Sequence, residues 1–136
     1  MTLKGLNKVY SGCLKSGLFF LLLCGFCGCA DNRPVSGVYP REGLASWYHS
    51  RQTSSGESFS SAGLTCAMRL KDFGGCYRVC NKSNGKCVIV RHNDFGPVAR
   101  LYKKGRIIDL TKFAFAQIAD SNEGLVSITL EQAECP

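Results

Sequence analysis

Three carboxylic acids lie in short polar motifs from which they could donate and accept protons. Asp94 follows an apolar run and precedes Gly96-Pro97, a pair that forces a turn, so we expect its side chain at the rim of the fold. Glu57 lies in a polar loop, and Asp109 ends a second apolar run. A positioned carboxyl group is a general acid or base. The structural alternatives are a turn bond for Asp94, simple solvation for Glu57 and a helix N-terminus for Asp109.

Short strand-like runs, separated by Gly, Ser and Asn turns, must position these acids. Strands are predicted at residues 44–48, 76–80, 87–91, 106–110 and 125–130, with a hairpin turn at Asn84-Gly85. Thr111 is predicted to cap one short helix over residues 112–119. So small a sheet has few ways to hide its edges, and the sequence therefore predicts a mainly β fold closed into a barrel.

The first 29 residues differ from the rest of the chain. Lys4, Lys8 and Lys15 precede an apolar run over residues 18–26, which is the layout of a secretory signal. That run is shorter than the ~20 residues that span a bilayer comfortably. The 136 residues carry a formal net charge of +7, which falls to +4 (14 basic against 10 acidic) without residues 1–28. These values argue against a multidomain protein, a polytopic membrane protein and a strongly polybasic nucleic-acid binder.

Cys29 is the candidate lipidation residue. It follows the apolar run and a glycine, which resembles the lipobox of bacterial lipoproteins, although Phe26 stands where that motif usually has leucine. The alternative is an ordinary signal peptide or an uncleaved anchor. The next residues contain proline, glycine and mixed charge and indicate a flexible tether. We therefore divide the chain into a lipoprotein signal peptide at residues 1–28, a tether at 29–42 and a barrel domain at 43–136.

Five further cysteines follow the tether, and outside the cytosol they are free to form disulfides. Cys80 and Cys87 flank the hairpin turn, so a bond across the two strands is geometrically plausible. Cys66 with Cys76 is the second predicted pair, which leaves Cys135 over. Zinc is the rival interpretation, but the spacing fits no standard finger. We expect no metal and no cofactor.

Four segments, taken together in this order and at this spacing, are specific: residues 43–48 (GLASWY), 53–59 (TSSGESF), 90–97 (VRHNDFGP) and 105–111 (GRIIDLT). The set resembles the RlpA-like (rare lipoprotein A) family across roughly residues 43–131. The resemblance implies a six-stranded double-psi β-barrel with one short helix. It also implies endolytic peptidoglycan transglycosylase activity, which cuts glycan strands without water and leaves a 1,6-anhydro end.

The resemblance also suggests roles for individual residues. Asp94 would be the acid/base, Glu57 the second active-site carboxylate, and Asp109 an acid close to the glycan. Ser46 would hydrogen-bond sugar. Trp47 and Tyr48 could stack on a pyranose, but they alternate along one strand, so at most one of them lines the groove.

Two positions depart from the family pattern. Family members usually carry a histidine eleven residues after the loop glutamate, and this chain has Met68 there. His92 lies two residues before Asp94 and is expected on the same strand face. It could compensate for the missing histidine and contact substrate. Phe95 replaces the usual arginine of the Asn-Asp-Arg-Gly-Pro pattern. Both changes bear on turnover more than on the fold.

The leading hypothesis is a monomeric lytic transglycosylase, lipid-anchored in the bacterial cell envelope, that cleaves peptidoglycan strands lacking stem peptides during wall remodelling. Ala30 after the cysteine would favour the outer membrane in a cell that has one. The first alternative is a non-catalytic, expansin-like glycan-binding or wall-loosening protein. The second is a secreted domain that recognises an acidic wall polymer or a protein partner. Nucleic acid is not expected, because the basic residues are scattered and no aromatic residues are interleaved with them at one site.

Overall fold

The structure is a computed structural model that describes residues 39–136. These residues form six strands and two short helices. The strands are β1 (Glu42–Trp47), β2 (Thr65–Met68), β3 (Cys76–Asn81), β4 (Cys87–Phe95), β5 (Arg106–Leu110) and β6 (Leu125–Ala133). The helices are α1 (Ala99–Tyr102) and α2 (Lys112–Ala116). The predicted mainly β fold is confirmed, and α1 adds a helix to the one that the sequence predicts.

The six strands close into a barrel in the order β1-β5-β2-β4-β3-β6. The β1–β5 and β2–β4 contacts are parallel. The other four contacts are antiparallel. Closure pairs every strand on both sides, which removes the exposed edges that a small open sheet would have.

Alternating side chains fill the barrel. In β6, Val126, Ile128 and Leu130 are buried while the residues between them are exposed, the period-two pattern of a strand with one face on a core. Phe115 of α2 is fully buried against this core. The Thr111 hydroxyl accepts a hydrogen bond from the Ala114 amide at 3.3 Å, so the predicted cap is present. The α-helix that it starts ends at Ala116, three residues before the predicted end.

Strand β2 is the element that the sequence does not reveal. Its four residues are all partly or fully buried, so they show no apolar-polar alternation. It nevertheless lies between β5 and β4, which it joins through one antiparallel and one parallel ladder. The strands that carry Asp109 and Asp94 therefore depend on β2 for their relative placement.

One row of paired residues crosses four strands and defines where the polar side chains meet. Ser46 pairs with Asp109, Asp109 with Ala67, and Ala67 with Asp94. Two strand spacings separate the backbones of Asp94 and Asp109, about 10 Å. Ala67, with its short side chain, lies at the centre of the row between the two acids.

Two disulfides are present in residues 39–136. Cys80 and Cys87 face each other across the β3–β4 hairpin, the pair expected from the turn, with Cα atoms 4.1 Å apart. The predicted Cys66–Cys76 pair is wrong, because Cys76 bonds Cys135. Cys66 is buried in β2 and free, and β4 separates β2 from β3 in the barrel. The register of β3 with β6 instead places Cys76 opposite Ala133, two residues before Cys135.

The barrel includes residues that the sequence assigns to the tether. Tyr39 packs against the core, the Arg41 carbonyl accepts a hydrogen bond from the Leu130 amide at 2.7 Å, and β1 begins at Glu42. The predicted signal peptide, Cys29 and most of the tether lie outside the described residues. Within residues 39–136, no helix is both long enough and apolar enough to cross a membrane.

Candidate active site

Asp94 accepts four hydrogen bonds, which are distributed unevenly between its two carboxyl oxygens. Oδ1 accepts from the Ser54 amide (2.8 Å), the Ser54 hydroxyl (2.7 Å) and the Phe95 amide (2.8 Å). Oδ2 accepts from the Tyr48 hydroxyl alone, at 3.1 Å. Asp94 is 7% exposed, so the carboxyl group is recessed at the end of β4. Because Oδ1 is saturated with donors, Oδ2 is the oxygen with capacity to carry a proton.

Tyr48 reaches Asp94 from the end of β1. Burial and the nearby negative charge of Asp94 raise the pKa of its phenol well above the ordinary value, so the hydroxyl stays protonated and donates. Its ring packs edge-to-face on Phe59 at 5.1 Å. Trp47 points elsewhere, with its indole nitrogen donating to the Ser121 carbonyl at 3.0 Å. Of these two aromatic residues, only Tyr48 belongs to the site.

A tight turn at residues 53–57 delivers Ser54 to Asp94. The Gly56 amide donates to the Thr53 carbonyl at 3.0 Å, and the Thr53 hydroxyl donates to the Glu57 carbonyl at 3.0 Å. Gly56 has φ of 91°, a left-handed conformation that favours glycine. The turn therefore closes on itself and projects Ser54 towards β4. Sequence reasoning did not single out Ser54, and its only signal is the hydroxyl-rich run before the glycine.

Glu57 binds a cation rather than facing Asp94. Its two oxygens accept from the Arg91 guanidinium at 2.8 and 2.7 Å, and one also accepts from the Asn93 amide group at 3.0 Å. These bonds, that from Arg91 first, lower the pKa of Glu57 to about 2. Glu57 is thus a carboxylate at any pH near neutrality. It anchors the turn that carries Ser54 to β4, and it cannot serve as a proton donor there.

Asp109 is the second carboxyl group of the row. Its Oδ1 accepts from the Ser46 hydroxyl at 2.9 Å and from the Arg106 guanidinium. An added Cβ on Gly96 would lie 3.3 Å from the Ala67 side chain and 3.7 Å from Asp109 Oδ2, so the absence of a side chain at Gly96 lets this turn cross close above β2. Ser46 therefore positions Asp109. Arg106 is a site residue that sequence reasoning missed.

His92 is not a substrate contact, contrary to the prediction. It is fully buried, and its ring nitrogens lie 3.2 Å from the Asp72 carbonyl oxygen and 2.8 Å from that of Asp94. A shift in the β2–β4 register between Cys66 and Ala67 breaks the alternation that would place His92 and Asp94 on one face. Instead, His92 supports the backbone of Asp94 from inside the barrel.

Met68, at the position of the family histidine, is 2% exposed and belongs to the hydrophobic core. It brings no ionisable group to the site. The remaining polar side chains form what we call the carboxyl site, made of Ser46, Tyr48, Ser54, Asp94 and Asp109. Within residues 39–136, no three His, Cys, Asp or Glu side chains are arranged to hold a metal ion. Asp94, a recessed carboxyl group with three donors on Oδ1 and one on Oδ2, is suited to proton transfer at Oδ2.

The sequence matches the family described as lytic transglycolase over residues 41–130. The chain belongs to this family. The RlpA-like resemblance drawn from the four segments is thereby confirmed, and the double-psi β-barrel architecture with it.

Relatives with named activities align with the barrel. The chain is 40% identical over 93 residues to a probable endolytic peptidoglycan transglycosylase RlpA of Synechocystis sp., covering 65% of this chain and 28% of that protein. It is 38% identical over 98 residues to the endolytic peptidoglycan transglycosylase RlpA of Neisseria meningitidis serogroup A, covering 69% and 39%. The protein of that name from Rickettsia typhi is 35% identical over 107 residues, covering 73% and 32%. The chain thus spans less than half of the length of these relatives.

A solved structure shares the fold at low sequence identity. The Streptomyces papain inhibitor superimposes with a TM-score of 0.56 at 19% identity, covering 71% of this chain and 97% of that one. At this identity, the likeness bears on the fold alone.

Proposed function

We propose that this protein is a lytic transglycosylase that cleaves the glycan strands of peptidoglycan. Family membership and the names of the relatives support the reaction class. The observation that carries the proposal is the asymmetry of Asp94, whose Oδ1 accepts three hydrogen bonds while Oδ2 accepts one. A carboxyl group fixed in this way can exchange a proton repeatedly at one oxygen without changing its orientation.

In the proposed mechanism, Asp94 performs both proton transfers. Protonated at Oδ2, it donates to the glycosidic oxygen as the bond between that oxygen and C1 breaks. The resulting carboxylate then takes the proton from the 6-hydroxyl of the same sugar while O6 bonds to C1. This leaves a 1,6-anhydro end and returns Asp94 to its protonated form. Water takes no part, and no second acid is required.

The other residues of the carboxyl site orient and stabilise. When Asp94 is a carboxylate, the Tyr48 hydroxyl donates a hydrogen bond to its Oδ2. Ser54 holds Oδ1 in place with two further hydrogen bonds. Asp109, about two strand spacings away, is paired with Arg106 through Oδ1 and would orient the sugar through Oδ2. Glu57 acts through the turn that it anchors. This division assigns one acid to proton transfer, one to substrate orientation and one to loop position.

The test is incubation of the wild-type chain with peptidoglycan stripped of its stem peptides, followed by mass spectrometry for anhydro-muramyl products. We expect these products from stripped strands and fewer from strands that keep their stem peptides. Asp94→Asn should lower the rate at least about a hundredfold, because a general acid contributes roughly 10²–10⁴-fold. The amide is isosteric, and its oxygen can still accept the Oδ1 hydrogen bonds, so the barrel should remain folded.

Glu131→Gln is the matched control, because Glu131 is an exposed acid on β6 that pairs with Arg78 of β3 rather than with a residue of the carboxyl site. It should leave the rate unchanged. An active Asp94→Asn protein would reject the acid/base assignment, and a wild-type protein that yields no anhydro products would reject the enzyme.

A second candidate function is non-catalytic glycan binding, of the expansin-like kind. The observation in its favour is Met68, which is buried in the core where the family usually has a histidine. Retained binding to stripped strands without anhydro products would favour this candidate. Binding and cleavage measured on the same preparation separate the two.

The proposed place of action is the bacterial cell envelope. A lipid on Cys29 would hold the barrel at a membrane facing the wall, the outer membrane where one exists. The lipobox-like sequence supports this, and Cys29 itself lies outside the described residues.

A further inference from the structure

Arg69 is held between two aromatic rings at the edge of the site. Its guanidinium carbon lies 5.0 Å from the centre of the Phe95 ring and 5.6 Å from that of Tyr102. Its Nη1 donates to the Pro97 carbonyl at 2.9 Å. In residues 39–136 it forms no salt bridge with an acid, whereas Arg78, Arg91 and Arg106 each pair with one.

A guanidinium has five N–H donors in a fixed plane, and a protein carbonyl occupies one of those of Arg69. The two rings and the carbonyl restrict its motion, so little further side-chain entropy would be lost on binding an anion. A restrained cation with unused donors and no acidic partner within residues 39–136 can bind a carboxylate from another molecule.

Arg69 and its two aromatic neighbours border the carboxyl site. The Phe95 amide donates to Asp94 Oδ1, and Gly96 lies beside Asp109. Arg69 donates to the carbonyl of Pro97, the next residue along the chain. The Phe95 side chain is 41% exposed even though Arg69 covers part of its ring. An exposed aromatic surface beside a recessed acid is a suitable platform for a pyranose ring.

We propose that Arg69, Phe95 and Tyr102 form a subsite for a carboxylate-bearing sugar next to the scissile bond. Phe95 stacks on the sugar, Arg69 binds its carboxylate, and Tyr102 keeps Arg69 in place. This inference rests on the proposed function. In a peptidoglycan strand without stem peptides, the carboxylate is the free lactyl group of muramic acid. A stem peptide turns that group into an uncharged amide, so the subsite would select stripped strands.

The experiment compares binding of three soluble oligosaccharides of equal length. The first carries free lactyl carboxylates, the second has them converted to methyl amides, and the third is an N-acetylglucosamine oligomer without lactyl groups. We expect the wild-type chain to bind the first about tenfold more tightly than the others, which corresponds to roughly 1.4 kcal/mol. The Arg69→Gln variant should bind the three oligosaccharides with equal affinity. The Phe95→Ala variant should bind all three more weakly but should still prefer the one with free carboxylates.

Arg100→Gln is the matched control, since Arg100 is an exposed base on α1 without a salt bridge in the described residues. It should keep the preference. The wild-type chain offers a test that needs no variant: raising the ionic strength should weaken binding of the carboxylate oligosaccharide and leave the amide form unchanged.

Equal wild-type affinity for the carboxylate and amide forms would overturn the subsite, as would an undiminished preference in Arg69→Gln. Arg69-dependent binding of strands that keep their stem peptides would assign the carboxylate to the peptide and overturn the lactyl assignment. These binding results are separate from turnover, so a chain that shows the preference but forms no anhydro product would reject the enzyme and leave the subsite standing.

Discussion

At the scale of single residues, the site is defined by what its hydroxyl groups do for one carboxyl group. Ser54 contributes both its amide and its hydroxyl to Asp94 Oδ1, and Tyr48 contributes one donor to Oδ2. These donors lie 40 and 46 positions away in the sequence. Side chains that are distant in sequence thus decide which oxygen of Asp94 exchanges a proton.

Tyr48→Phe should lower the cleavage rate about tenfold while the barrel stays folded, because it removes a single hydrogen bond to a charged group. The measurement is the rate of anhydro-product formation, with thermal unfolding as the folding check.

Tyr39→Phe is the control for Tyr48→Phe, because Tyr39 packs edge-to-face on Tyr77 in the core and makes no contact with Asp94. Its cleavage rate should match that of the wild-type chain. A Tyr48→Phe rate that also matched would show that the phenol does not act on Asp94.

Glu57→Gln should remove a pH-dependent part of the stability. Arg91 and Asn93 lower the pKa of Glu57 in the folded state from 4.5 to about 2, so between these values the unfolded chain binds more protons. The stabilisation is therefore fully present above pH 4.5 and is lost as the pH falls towards 2. Urea unfolding of both proteins should differ at neutral pH and converge across that window. A difference that persists at pH 2 would place its origin elsewhere.

A local motif predicts the position of Asp94 at a strand end before a turn. The structure has it at the end of β4 among several donors, while its role as the acid/base stays a prediction. The Glu57–Arg91 pair could not be predicted, because it forms only after the loop folds back on β4. The role expected of His92 failed because one register shift reverses which face a side chain takes.

At the scale of elements, two disulfides join β3 to its neighbours. One bridges the β3–β4 hairpin, and the other ties β3 to the residues that follow β6. The Cys76–Cys135 bond spans 59 positions of sequence, and the Cys80–Cys87 bond spans 7. A cross-link that closes a longer loop removes more entropy from the unfolded chain. The two bonds should therefore contribute unequally to stability.

Cys135→Ser should lower the free energy of unfolding by about 4 kcal/mol and Cys87→Ser by about 2 kcal/mol, from the chain-entropy relation for the two loop lengths. Urea denaturation of each variant and of the wild-type chain gives these values. A larger loss in Cys87→Ser would mean that strain or residual structure in the unfolded chain outweighs loop length.

Element prediction followed periodicity and failed where periodicity was absent. Strand β5 was located at its observed residues, and β6 was found from its alternation. Strand β2 was missed because four consecutive buried or half-buried residues have no pattern. That omission also explains the wrong disulfide, since without β2 nothing in the sequence indicated that Cys66 is enclosed by two neighbouring strands.

At the scale of the whole molecule, the barrel and the amino-terminal residues have separate tasks in the proposed function. The barrel would cleave or bind glycan, and residues 1–29 would direct and anchor it. The sequence predicted the closed β-barrel and its family, because the four motifs are specific as a set. It gave no means of placing Arg69 between two rings, a contact that depends on how three separate segments meet.

Cys29→Ser should move the protein from the membrane fraction to the soluble fraction, because the proposed anchor is a lipid on that thiol. Cell fractionation followed by immunoblotting measures this. Cys27→Ser is the matched control, a neighbouring cysteine whose loss should leave membrane attachment intact. Membrane retention of Cys29→Ser would indicate an uncleaved hydrophobic anchor instead.

The two disulfides share a strand, because each has one cysteine in β3. Among residues 39–136, covalent cross-links therefore reinforce the side of the barrel formed by β3, its hairpin partner β4 and the end of β6. Strands β1, β5 and β2, which carry Ser46, Asp109 and Ala67, are joined by hydrogen bonds and packing alone. Asp94 on β4 therefore belongs to the cross-linked side of the barrel, whereas Ser46 and Asp109 belong to the side that has no disulfide among these residues, so the carboxyl site lies across the boundary between the two.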